Sequence, residues 1–416
     1  MCRELLRIPA EWGGVPILGV GVALLVWLLG AAVLIGVHAK RRGVDDDFWA
    51  YLWPVGVGAL VILLAPRFAP QGVPIRGYGA MLLLAIVSGV TLALRRAERI
   101  GVDGDTILSL VFWLFVAGIS GARAFFVIEY WEVRYAGLPP AEMVRQVLMF
   151  TEGGLVVYGS LIGATIAFVV FVRRHGLPML GMADVLAPGL LVGLAIGRIG
   201  CLLNGCCYGG PCERPWALTF PPDSPPYVDQ LTHGELHGVR LVEDGAALRL
   251  VSTPGAPIVD SIGGYPIASI EQAAPLLAQS HATGRPVTIR LRGGDAVTAE
   301  PLGRTRSLPV HPTQLYSAIN AALVAWLLWE WFPLRRRDGE VALAMLSIYP
   351  VSRFLLEVIR TDERSFLGTG LSISQNVSLG LLAAAAIGWV LLLRTPPGTR
   401  LAPAAGGERT APPAAA

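Results

Sequence analysis

Nine long apolar stretches run along this chain, and they constrain its fold more than any other feature. A helix crosses a hydrocarbon core about 30 Å thick with roughly 20 residues, at about 1.5 Å of rise each. Stretches of that kind fall at 15–38, 48–65, 78–94, 106–130, 153–172, 182–204, 313–332, 341–360 and 373–393, the second and third being short. Hydrophobic residues make up 54% of the chain and charged residues only 15%, where a soluble domain carries about 25% charge. Mean hydropathy is +0.58. This balance weighs against a soluble enzyme, a disordered chain and a nucleic-acid binder, and the net charge of +3 is too small to attract a polyanion. The class expected is an all-α polytopic membrane protein. The first stretch is too long, and too little charge precedes it, for a cleavable signal. Met1-Cys2 is not expected to be a lipid-anchor site, since no export segment precedes it.

Basic residues set the orientation. Lys40, Arg41 and Arg42 follow the first stretch, Arg95, Arg96 and Arg99 the third, Arg173 and Arg174 the fifth, and Arg335, Arg336 and Arg337 the seventh. Every second loop is therefore basic and reads as cytoplasmic, which puts the N-terminus outside and the C-terminus inside. The polar segment 206–312 then lies outside. Within it, 248–252 reads as a strand and 270–280 as an amphipathic helix, while 286–292 and 296–300 flank a Gly293-Gly294-Asp295 hairpin signal. The stretch 238–302 resembles the later part of a PDZ-like domain; an unrelated small α+β insertion is the other reading. The tail 394–416, rich in Pro, Ala and Gly, reads as disordered.

An ionised group inside the bilayer is costly and marks a functional candidate. With this orientation, Tyr78, Arg123, Tyr158, Arg198, Asn204, His311, Gln314, Arg353, Glu357 and Arg360 all fall in the outer leaflet. Arg353 and Glu357 are four apart and share a helix face, with Tyr349 one turn earlier and Arg360 one turn later. Guanidinium groups fork onto phosphate oxygens, so the set suits a phospholipid head whose tails stay in the bilayer. The bland alternatives are snorkelling for Arg123 and Arg360 and an interfacial belt for Tyr78 and Tyr158. Asp184 sits at the inner end of its stretch, where a helix-start role is expected.

The sixth stretch ends in Gly197-Arg-Ile-Gly-Cys-Leu-Leu-Asn-Gly-Cys-Cys-Tyr-Gly. Its glycines permit close approach and an exit from the helix. Cys201, Cys206, Cys207 and Cys212 cluster there. Disulfides, a zinc site and inert buried thiols are all open readings.

At these residues the chain resembles the bacterial prolipoprotein diacylglyceryl transferases. The blocks are Gly153-Gly-Leu-Val-Val-Tyr-Gly-Ser-Leu-Ile-Gly, the Gly197 segment, His311-Pro-Thr-Gln-Leu-Tyr and Tyr349-Pro-Val-Ser-Arg-Phe-Leu-Leu-Glu-Val-Ile-Arg, followed by Gly370-Leu-Ser-Ile-Ser-Gln. The resemblance implies a seven-span core preceded by two extra spans. It divides the chain into an added N-terminal region (1–74), two core parts (75–212 and 311–393), an insertion outside the membrane (213–310) and the tail (394–416). It implies transfer of a diacylglyceryl group from phosphatidylglycerol to the lipobox cysteine of a preprolipoprotein signal peptide. A thioether forms and glycerol phosphate leaves. The setting implied is the bacterial cytoplasmic membrane, with no nucleotide, metal or other cofactor and no nucleic-acid partner.

By motif position, Arg198 and Arg353 bind and polarise the phosphate and Tyr158 takes the place of the base. Tyr78, Tyr349 and Asn204 orient the headgroup, and Glu357 holds Arg353. Arg123, Gly153, Gly154, Gly159, Gly209, His311 and Arg360 complete the substrate-binding set. The chain departs from the family at four positions. Many members have His at the position of Tyr158, Asn and Glu at Cys201 and Cys206, and Glu at Ser317. A tyrosine with an ordinary pKa of about 10 is a poor base near neutrality, so the acceptor of the thiol proton is left unnamed. Two other functions compete: a membrane thiol or metal protein built on the cysteines, and a non-catalytic lipid- or peptide-binding relative.

Overall fold

The structure, a computed structural model, describes residues 4–42, 46–149, 154–222, 224–244, 247–301, 306–360 and 370–398. The chain divides into two compact units, Met1–Met81 with Leu203–Gly205, and Leu82–Leu202 with Cys206–Ala416.

In the first unit, strand β1 (Glu4–Ile8) precedes a hairpin of β2 (Glu11–Trp12) and β3 (Val15–Pro16), then come helices α1 (Val22–Arg42) and α2 (Asp46–Phe68), and β4 (Val73–Arg76) pairs antiparallel with β1. The first apolar stretch was expected to be helical from residue 15, but the helix starts at Val22. Gly13 and Gly14 turn the hairpin at φ +59° and +83°, and Gly19 at φ +74° delays helix entry. The described apolar parts of α1 and α2, Val22–Val37 and Trp53–Phe68, are shorter than the spans that follow.

Helices α3 (Gly77–Arg99), α4 (Gly104–Glu129), α5 (Pro140–Leu148), α6 (Val157–Arg174) and α7 (Met179–Asn204) come next. Between α7 and the later helices lie α8 (Pro225–Thr232), strands β5 (Leu241–Asp244), β6 (Ala247–Leu250), β7 (Val259–Ile262) and β8 (Tyr265–Pro266), helix α9 (Ile270–Thr283), and strands β9 (Val287–Leu291) and β10 (Ala296–Ala299). Helices α10 (Thr313–Trp331), α11 (Glu340–Ile359) and α12 (Ile373–Leu393) close the described chain. Seven of these helices are long and apolar enough to cross a membrane: α3, α4, α6, α7, α10 (with the turn that follows it), α11 and α12. Leu83, Phe112, Ile166, Trp326 and Leu391 are exposed on them, as lipid-facing surface requires.

Lipid tails are as apolar as leucine, so helices in a bilayer associate through close packing of small residues. Helices α4 and α6 do this: a Cβ on Gly121 would lie 2.4 Å from the Gly159 carbonyl oxygen, and one on Gly159 would lie 2.3 Å from that of Gly121. Gly89 of α3 and Gly189 of α7 meet in the same way, at 2.9 and 2.6 Å. Of the seven long apolar helices α7 is the most buried and α4 the least, which makes α7 the central helix.

The described part of 206–312 has its own core, in which Tyr227, Leu248, Leu250, Ile262, Leu277 and Ile289 are fully buried. Its larger sheet runs β10-β9-β7-β8, all antiparallel. The expected strand, helix and hairpin appear within a few residues of their sequence positions. Helix α8, which opens on Pro225-Pro226, and the short helix α5 were not anticipated. The tail from 399 onward lies outside the described residues.

Candidate active site

Helix polarity brings the polar residues to one end of the bundle. Helices α7 and α11 both place their C-terminal turns there, and α6, α10 and α12 their N-terminal turns. Arg198 from α7, Arg353 from α11 and Arg360 just beyond it line one cavity with Cys207, Thr313, Ser317 and Leu356. The cavity is about 10 Å³, room for a single water. Thus three of the arginines singled out in the sequence do meet.

Glu357 organises two of them, Arg353 and Arg360. Its side chain is 2% exposed, forms an ion pair with Arg353, and lies 3.9 Å from Arg360 Nε. The i,i+4 spacing of Arg353 and Glu357 makes their contact a property of one helix face. Arg353 also donates to Ser374 Oγ (2.8 Å), and the Tyr158 hydroxyl lies 3.5 Å from the same oxygen. Ser374 thereby links α6, α11 and α12. The sequence reading missed it, although it lies inside the Gly370-Leu-Ser-Ile-Ser-Gln block; the adjacent Ser372–Gln375 capping box, which starts α12, was the available signal. Arg198 is half-buried, and its Nε has no hydrogen-bond partner among the described residues. Tyr349 is half-buried on the face of α11 that carries Arg353.

The loop after α7 is shaped from the backbone. Cys207 has φ +58°, a left-handed turn that a side chain rarely adopts. Its carbonyl accepts from Thr313 Oγ1 (2.6 Å), and that of Cys206 accepts from Gln314 Nε2 (2.7 Å). Gly209 N–H donates to His311 O (2.9 Å), and a Cβ on Gly209 would sit 2.8 Å from His311 Cβ. His311 Nδ1 lies 3.3 Å from the Tyr316 hydroxyl, which also accepts from Trp216 Nε1 (2.7 Å). Thr313 and Ser317, one turn apart on α10, were not among the expected site residues; their i,i+4 spacing was the usable signal.

Arg123, Gly154 and Gly159 serve other contacts. Arg123 donates to the carbonyls of Gln146 (2.5 Å), Val147 (2.9 Å), Met149 (3.0 Å) and Gly154 (3.0 Å). It clasps the α5–α6 connection and does not line the Arg198 cavity, because four main-chain acceptors surround its guanidinium. Gly154, at φ +75°, leaves room for that clasp, since a Cβ there would lie 2.6 Å from Arg123 Nη1. Gly159 faces α4. Gly153 lies outside the described residues. Tyr78, exposed near the start of α3, and Asn204, exposed at the end of α7, belong to the first unit.

The four described cysteines are free thiols, and no disulfide is present among the described residues. The sulfurs of Cys201, Cys206 and Cys207 all lie within 4.8 Å of one another, while Cys212 is buried outside the group. The Cys207 thiol is held well below the ordinary range by hydrogen bonds from Cys201 and Cys206, helped by Arg360 and Arg198.

Asp184 has the helix-start role, but for another helix. Its carboxylate accepts from the N–H groups of Gly339 (2.7 Å) and Ala342 (2.8 Å), which open α11. Arg96 stacks on Trp329 and Phe332 and donates to the Trp329 carbonyl (2.8 Å). The basic turns after α3 and α10 therefore share the end of the bundle opposite Arg198.

The family model for prolipoprotein diacylglyceryl transferase matches residues 67–391. The chain belongs to this family. A relative in Rhodopirellula baltica named phosphatidylglycerol–prolipoprotein diacylglyceryl transferase is 35% identical, over 93% of this chain and 88% of its own length. Relatives of the same name in Gloeobacter violaceus (36% identical, 78% and 91% covered) and Finegoldia magna (25% identical, 77% and 92%) span most of their own lengths. The family core thus includes every helix that contributes to the Arg198 cavity.

Proposed function

We propose that this chain is a transferase that moves the diacylglyceryl group of phosphatidylglycerol to the lipobox cysteine of preprolipoproteins. The observation that carries the reading is the meeting of Arg198, Arg353 and Arg360 in one cavity at the end of an apolar bundle. Three guanidinium groups line the cavity, and one carboxylate, Glu357, pairs with two of them, which leaves net positive charge for an anion. The phosphate is gripped there while its glyceryl carbon faces the incoming thiolate, and the arginines stabilise the charge that grows on the departing glycerol phosphate. The cavity is too small for a phosphodiester as it stands, so Arg353 and Arg360 swing aside as the headgroup enters. Glu357 sets the arginines, and Tyr158 and Ser374 position Arg353. Motif position alone assigns Tyr78 and Asn204 to the headgroup.

The same reading places the protein in the bacterial cytoplasmic membrane with nine spans, the N-terminus outside and the C-terminus inside. The 213–310 insertion then lies on the outer side, where exported lipobox peptides arrive. The alternation of basic turns supports this. The domain limits proposed are 1–74, 75–212, 213–310, 311–393 and 394–416.

Arg198→Ala and Arg353→Ala are expected to abolish labelling of a lipobox peptide in membranes supplied with phosphatidylglycerol. Labelling at the wild-type rate in either variant would remove the central role of the cavity. A strain lacking its own transferase, rescued by this chain, tests the function as a whole.

A further inference from the structure

The reaction needs a thiolate, because a thiol is a poor nucleophile, and the arginine cavity offers no good base. Glu357 is committed to Arg353, and Tyr158 to the serine that Arg353 also contacts. Three sulfurs stand together just past the Arg198 turn of α7, one of them on the cavity itself. Cys201 lies in the last turn of α7, and Cys206 and Cys207 follow the turn after it. The three sulfurs are within 4.8 Å of one another, and Cys207 lines the cavity with Arg198, Arg353 and Arg360. Among the described residues, no fourth cysteine, histidine or carboxylate joins them. The loop is held by main-chain contacts: Cys206 N–H donates to Cys201 O (3.1 Å), and Gln314 and Thr313 hold the carbonyls of Cys206 and Cys207.

Ligand sulfurs about 2.3 Å from a tetrahedral zinc ion sit about 3.8 Å apart, and no pair of these three sulfurs is more than 4.8 Å apart. Zinc sites with three protein ligands and one open position are the reactive kind. We propose that Cys201, Cys206 and Cys207 bind one thiophilic divalent cation, best met by zinc, and that its open position takes the incoming lipobox cysteine as thiolate. The inference rests on the transferase reading. When the substrate thiol binds the metal, its proton passes to water. The thiolate sulfur then attacks the glyceryl carbon bonded to the phosphate oxygen. A C–S bond forms, the C–O bond breaks, and its electron pair stays on the phosphate, which takes up a proton. No oxidant or reductant is consumed. Three thiolates on a divalent ion carry one net negative charge, and the adjacent arginines offset it.

The test uses the full chain, purified in detergent with its thiols reduced by a phosphine, with Co²⁺ as the spectroscopic probe. One Co²⁺ per chain is expected, with sulfur-to-metal charge-transfer and tetrahedral visible bands. Cys201→Ser and Cys206→Ser should weaken binding by more than the roughly 10–100-fold that loss of an outer-shell partner costs. Cys212→Ser, outside the cluster, should bind as the wild type does and controls for folding. A lipobox peptide should shift the visible bands, and the same peptide with serine for cysteine should not. Chelation should slow transfer about 100-fold, a loss of the size expected when proton removal is impaired, and Zn²⁺ should restore it. Absent binding, equal binding in the cysteine variants, bands blind to the substrate thiol, or full transfer after chelation would each overturn the metal site. Full transfer after chelation leaves the transferase reading standing. A metal-loaded chain whose bands respond to the thiol but which transfers nothing sinks that reading and leaves the site.

Discussion

Replacing Asp184 separates what holds the bundle together from what the site does. Asp184 is fully buried, and its two oxygens accept from Gly339 and Ala342 at 2.7 and 2.8 Å. Arg335, with 1% of its side chain exposed, approaches within 3.5 Å and has Asp338 as a second carboxylate at 3.6 Å. Asp184→Asn preserves the volume, so no cavity term enters. Its amide nitrogen, however, faces an N–H donor. That leaves one buried donor unmet, at about 1–3 kcal/mol, and takes one counter-charge from Arg335. A loss of about 3 kcal/mol follows. Asp184→Ala strips both caps and should cost about 4–5 kcal/mol, in the range for breaking a buried pair. In detergent, tryptophan fluorescence on heating should show the Asn variant melting roughly 3–4 °C lower. Transfer per folded molecule should persist, because Arg198 lies about 21 Å farther along α7. An alanine variant as stable as the wild type would refute the capping argument, and a stable variant without transfer would move Asp184 into the chemistry.

Three further outcomes are expected. Gly159→Ala should lower thermal stability by about 1–3 kcal/mol, because its Cβ would meet the Gly121 carbonyl oxygen at 2.3 Å; an unchanged melting temperature would argue against the close α4–α6 contact. Glu357→Gln should cut transfer per folded molecule about 100-fold, measured by peptide labelling beside a melting curve, since it frees Arg353 and Arg360 from their shared carboxylate, and it should also lower the melting temperature because two arginines lose a buried partner. The 206–312 region should weaken in acid. Burial, and then His281, push His237 down to about 4, and burial pushes His281 down as well. Both rings are thus neutral when folded, while the unfolded chain takes up protons below about pH 6.5. The stabilisation is whole above that pH and is lost as pH falls toward 4, up to about 3 kcal/mol for His237. Hydrogen exchange in β9 and β10, corrected for intrinsic rates, should speed up at pH 5 relative to pH 7.

The family blocks were legible because they are local. Arg353 and Glu357 share a face by helix geometry alone, and the hairpin at Gly293-Gly294 needs only turn chemistry. Arg123 shows where local reading stops. In sequence it is one more outer-leaflet arginine, and only the packed chain shows four carbonyls converging on it. Asp184 was read as a helix-start residue, yet the helix it caps begins more than 150 residues later, a distance that sequence neighbourhood does not bridge. Glycines such as Gly159 and Gly209 invite a ligand-approach reading, while the neighbours that need the space are an opposing helix and His311.

Hydropathy by itself determined that this chain belongs in a membrane, since so much apolar length has no other stable destination, and residue patterns named its family. Which arginines share a cavity, which one is bound up with backbone carbonyls, and which three thiols meet were decided by tertiary structure. Those outcomes depend on how helices rotate about their axes and which small residues let them close. Rotation and close approach are settled by the neighbour across the interface, which no single segment of sequence contains.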